Sequence, residues 1–99
     1  MFLGRYDFEG DREELLAAYD RLMTTDVVDS VTFQACIARD GGISVYDTCP
    51  SEDVFRAFSS SPQTQAAFTA AGLPEPTVTP LGSVHRALSS PEHLTRTQA

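Results

Sequence analysis

Val31-Thr-Phe-Gln-Ala-Cys-Ile-Ala-Arg-Asp-Gly-Gly-Ile-Ser-Val-Tyr-Asp-Thr48 is the stretch whose reading decides the fold. Apolar and polar residues alternate on both sides of Asp40-Gly41-Gly42. That is the two-residue period of half-buried strands joined by a tight turn, so the segment predicts an antiparallel β-hairpin. Taking residues 40 to 42 as the loop pairs Arg39 with Ile43, Ile37 with Val45, and Cys36 with Tyr46. In that register Val31, Phe33, Ala35, Ile37, Ile43 and Val45 face the core, and Thr32, Gln34, Cys36, Ser44, Tyr46 and Thr48 share the other face.

The flanking segments supply the rest of a domain. Phe2, Tyr6 and Phe8 fall on one side of an opening strand, with Arg5 and Asp7 on the other. Gly10 ends that strand and Asp11 is placed to cap a helix over about 12 to 24, with Glu14 at the capping-box position and Leu15, Ala18, Tyr19, Leu22 and Met23 as its apolar stripe. A polar connection with Asp26 and Asp29 leads into the hairpin. After Cys49-Pro50, Ser51 caps a helix carrying Val54, Phe55 and Phe58, Ser61-Pro62 restarts it, and Gly72 stops it. A last strand runs from Val78 to Leu88, with a bend or bulge expected at Pro80 and Gly82. The order is β-α-β-β-α-β, an α+β ferredoxin-like arrangement over residues 1 to 88, followed by a flexible tail over 89 to 99.

Composition narrows the function classes. The 99 residues carry 14 acidic and 7 basic side chains, a net charge of -7, so the cationic surface that nucleic acid or an anionic membrane requires is missing. All the basic residues are Arg. No apolar run approaches the ~20 residues of a membrane span, and the polar turn at Arg5 to Asp7 comes too early for a secretory leader, so a cytoplasmic protein is expected. Cys36 and Cys49 fall on opposite faces in the register above and too far apart to bridge, which predicts two free thiols. Cys36, Cys49, His85 and His93 lack metal-ligand spacing, so no metal is expected.

The element order, the chain length and the helix broken at Ser61-Pro62 resemble the dimeric α/β-barrel superfamily, which includes antibiotic-biosynthesis-type monooxygenases, muconolactone isomerases, some polyketide cyclases and haem-degrading enzymes. The resemblance covers residues 1 to 88 as a pattern and carries no motif of one branch. It implies a homodimer whose sheets face each other around ligand cavities. Haem degraders of that superfamily usually present their axial His from a helix. Neither helix here has one, and no cofactor is expected.

On the face turned away from the helices, the last strand adds His85, the one histidine of the strands and a residue type suited to proton transfer. His85 and Asp7 are the candidate catalytic pair. Arg5, Gln34, Cys36, Tyr46 and Thr48 are the candidate binding residues, placed to hold a carbonyl or phenolic oxygen. Two readings are open. One is a cofactor-independent monooxygenase, cyclase or isomerase acting on a small hydrophobic oxygenated molecule. The other is a ligand-binding or structural homodimer without chemistry, in which the same residues line a wet sheet face.

Overall fold

The computed structural model describes residues 1–25 and 32–88. Val31, the connection with Asp26 and Asp29, and the tail over 89–99 with His93 lie outside the described residues. Strands β1 (Phe2–Glu9), β2 (Phe33–Arg39), β3 (Gly42–Cys49) and β4 (Thr77–Ser83) form one antiparallel sheet in the order β2-β3-β1-β4. Helices α1 (Arg12–Leu22), α2 (Glu52–Ser60) and α3 (Pro62–Ala71) complete a ferredoxin-like α+β layout in which the expected second helix is two. Among the described residues no helix is long and apolar enough to cross a membrane.

Local chemistry sets these boundaries. The Asp11 carboxylate accepts a hydrogen bond from the Glu14 N–H at 3.0 Å and opens α1. Ser51 does the same for α2 through the Val54 N–H. Ser61 is extended, so it ends α2, and its hydroxyl then accepts from the Gln63 N–H to open α3, with Pro62 at the first position, where no N–H is needed. Gly72, at φ +99°, closes α3 in the left-handed conformation. Arg21 of α1 reaches across to donate to the Ala71 carbonyl at 3.0 Å, tying the two helices together at that end.

The core lies between the helices and one sheet face. Phe2, Tyr6 and Phe8 of β1 and Ile43 and Val45 of β3 pack against Leu15, Ala18 and Leu22 of α1, Phe55 of α2 and Phe68 of α3. The Phe55 ring sits over Gly4, where an added Cβ would come within 2.0 Å of it.

Two expectations about register are corrected. The hairpin pairs Arg39 with Gly42, Ala38 with Ile43, Cys36 with Val45 and Gln34 with Asp47, so its loop is Asp40-Gly41 and every pairing moves by one residue. Gly41, at φ +81°, supplies the left-handed residue of that two-residue turn. Gly42 belongs to the sheet instead, because it lies against β1 where a Cβ would stand 2.1 Å from the Phe8 carbonyl oxygen. β3 keeps its expected faces and β2 turns over. Gln34 and Cys36 face the helices, while Phe33, Ala35 and Ile37 face away from them. Cys36 and Cys49 therefore share a face, but Cys36 pairs four residues away from Cys49, ~13 Å along the strand, and both thiols are free.

The last strand is shorter than expected and carries the irregularity. Gly4 pairs with Pro80 and Leu3 with Gly82, so Leu81 is an extra residue that reverses the facing of the residues after it. The strand ends at Ser83, the Val84 N–H donates to the Met1 carbonyl at 2.8 Å, and His85 lies beyond in an exposed bend.

Candidate functional site

Seven sequence-selected residues divide between three places. Arg5, Asp7, Tyr46 and Thr48 lie on the open sheet face as expected. The Asp7 carboxylate accepts from Arg5 Nε at 2.9 Å and from the Ser44 hydroxyl at 2.6 Å, and Ser44 in turn accepts from Arg39 Nε at 2.8 Å. Arg39 also forms a two-point contact with Glu9, at 3.0 and 3.2 Å. Burial works against the Asp7 carboxylate, but the Ser44 and Arg5 hydrogen bonds with the charges of Arg5 and Arg39 outweigh it and hold its pKa below the ordinary value. The Thr48 hydroxyl donates to the Phe33 carbonyl at 3.3 Å. This ladder is charge-balanced, with Arg5 and Arg39 set against Asp7 and Glu9.

His85 is not part of it. Asp7 pairs with Thr77 at one end of β4, and His85 lies past the other end, ~20 Å or more away along the strand. Within one chain the Leu81 bulge and the early end of β4 separate the candidate catalytic pair. Gln34 and Cys36 are in the third place, the layer between sheet and helices, because β2 is turned over.

That layer holds the second constellation. A narrow pocket, with an enclosed volume of about 20 Å³, opens between α1, the sheet and the α2–α3 pair, which contributes Phe58 and Phe68 to its lining. Half-buried Tyr19, Met23, Gln34 and Phe58 form its rim, and the Tyr19 hydroxyl donates to Gln34 Oε1 at 2.5 Å across it. Its enclosed part is narrow, admitting a water-sized group, so a larger guest must part that rim. Asp47 lies inside, 1% exposed, with Tyr6 close by. Among the described residues, neither Asp47 carboxylate oxygen nor the Tyr6 hydroxyl has a hydrogen-bond partner.

The electrostatics of this cluster are set by burial. Loss of solvation pushes the Asp47 carboxyl up to about 6, with no neighbouring cation to oppose it. Burial, then the Asp47 and Cys49 charges, raise the Tyr6 phenol. Burial also raises Tyr19, reinforced by Cys36, Asp20 and Asp47. The Cys36 thiol, buried and near Asp20, and the Cys49 thiol, buried and near Asp47, are both pushed up to about 11. Both are therefore poor nucleophiles at neutral pH.

Sequence reasoning passed over Asp47, although the signal was present. Ile43, Val45, Asp47 and Cys49 share one parity along β3, so a carboxylate was bound to accompany two core residues into the core. Tyr19 and Tyr6 were assigned simply to packing, and their hydroxyl groups make them more than that. No protein-family model and no curated protein matches this sequence.

Proposed function

We propose that the chain binds a small, hydrophobic, oxygenated molecule in the pocket between sheet and helices, with Asp47 as the group that takes up the ligand's proton or hydrogen bond. The observation that carries this reading is a carboxyl group 1% exposed, with both oxygens unpaired, at an aromatic-lined pocket. A buried polar group without a partner costs folding free energy, and cores without a functional task rarely keep one. With its pKa near 6, Asp47 is mostly ionised at neutral pH and close to the range where a general base works best. Isomerisation or cyclisation of an enolisable substrate needs no more than such a transfer, and needs no cofactor.

The open sheet face favours assembly as a homodimer in the manner of the dimeric α/β barrels. Phe33 is 42% exposed, Ile37 46% and Leu81 45%, around a charge-balanced polar ladder. Correcting the hairpin register makes this face more apolar than the sequence reading expected.

The pocket reading is tested by titrating isotope-labelled protein with 2-phenylethanol and tracking backbone amide shifts. Changes centred on Asp47, Gln34 and Met23 are expected. Changes confined to Phe33, Ile37 and Tyr46 would place the ligand on the open face and overturn it.

A further inference from the structure

Among the described residues, the Asp47 pocket contains an anion and no cation. Arg5 and Arg39 are held by carboxylates on the opposite face of the sheet, Arg12 lies near Asp40, Arg21 is bound to the Ala71 carbonyl and Arg56 to Glu52. Arg86 is exposed past the end of β4, and the sequence has no Lys. Five of the nine residues that line the space with Asp47 are aromatic, Tyr6, Phe8, Tyr19, Phe58 and Phe68, and Gln34 is the polar one. Tyr6 and Phe8 each meet Phe68 edge to face, with ring centres 5.9 and 5.6 Å apart, an array that fixes these rings in place.

A carboxylate withdrawn from water is stabilised most by a charge of opposite sign, and a ring face attracts a cation through its quadrupole. Together they form an environment that a neutral guest satisfies in part and a cationic guest satisfies fully. We infer that the ligand of this pocket is a small organic ammonium ion, an amine with an apolar body, whose nitrogen pairs with Asp47 and whose charge is shared with the surrounding rings. This rests on the pocket being the binding site and replaces the oxygen function of the proposed ligand with a charged nitrogen at Asp47. The acidic surface acts in the same direction, since a net charge of -7 concentrates organic cations around the molecule. The narrow enclosed part, which admits a water-sized group, suits a primary ammonium, and the body must enter where the Tyr19–Gln34 hydrogen bond spans the rim.

The test compares 2-phenylethylammonium chloride with 2-phenylethanol at pH 8, two probes of one shape that differ in the charged group, by amide shifts and calorimetry on the full chain. The ammonium is expected to bind at least ~10-fold more tightly, with shifts at Asp47 and Gln34, and Asp47→Asn should abolish that preference. The comparison within the unaltered protein decides the matter even if the variant folds poorly. Equal binding of the two probes in the pocket would overturn the ammonium assignment and leave the pocket reading standing. Shifts gathered at Glu13, Glu14, Glu52 and Asp53 would show adsorption to the acidic surface and overturn it too. Failure of both probes to shift Asp47 and Gln34 would remove the pocket reading itself.

Discussion

Replacing Asp47 by Asn removes a charge while keeping the shape of the side chain, and its effects on folding and on chemistry should have opposite signs. The folded carboxyl titrates at about 6 and the unfolded one near 3.8, so the folded state holds the extra proton between those values and stability falls as pH rises through that window. Above pH 7 the unpaired charge costs about 3 kcal/mol, which Asp47→Asn should recover in urea denaturation at pH 8 and not at pH 3.5. The groups facing Asp47 do not confuse this slope. Tyr6, Tyr19, Cys36 and Cys49 are all pushed upward, and the downward-shifted Asp7 acts below the window. A flat stability profile across pH 4 to 7 would show that Asp47 is solvated or paired. The same variant should slow deuterium uptake at the acidic carbon of 2-tetralone by ~10² if Asp47 is the base, and an undiminished rate would deny it that role. Gly4→Ala is the contrasting case. Its methyl group would enter the Phe55 ring, so a loss of about 2 to 3 kcal/mol is expected at any pH.

At the scale of single elements, β2 is the one whose facing determines the most. Thiol labelling can read it. Cys36 should react slowly with an aromatic disulfide at pH 8, and cysteine placed at Phe33 or Ile37 should react at least ~10-fold faster, because those positions are open to solvent and Cys36 is not. The reverse order would restore the three-residue loop. The caps at Asp11, Ser51 and Ser61 and the stop at Gly72 could be read from sequence because each depends on neighbours within a few residues. The register could not. Both choices leave alternating residues on each side of the turn, and the deciding contact is between Gly42 and Phe8, 34 residues apart in the chain. His85 was misplaced for a related reason. Parity counting carried the strand through Pro80 and Gly82, where one extra residue, Leu81, reverses it. Asp47 lay in plain view, but a strand's acidic residue is ordinarily assigned to water, and only the packing of α1 and α3 above it shows otherwise.

Across the whole molecule, the helices cover one side of the sheet and the other presents Phe33, Ile37 and Leu81. Sedimentation at micromolar concentration should give twice the chain mass, and Phe33→Lys combined with Ile37→Lys should return the monomer with its helical signal intact. A monomer in the unaltered protein would leave the Asp47 pocket as the only basis for a function. The missing methyl group of Gly42 bears on whether that open face is apolar. A Cβ at Gly42 would meet the Phe8 carbonyl, so the observed register, and with it the side chains this edge strand shows to the outside, requires glycine there. A residue added at the turn would roll the strand over, enclosing Phe33 and Ile37 and expelling Gln34 and Cys36. Descent with small insertions can therefore exchange an apolar exterior for a polar one, and re-line the space between sheet and helices, without substituting any residue of β2.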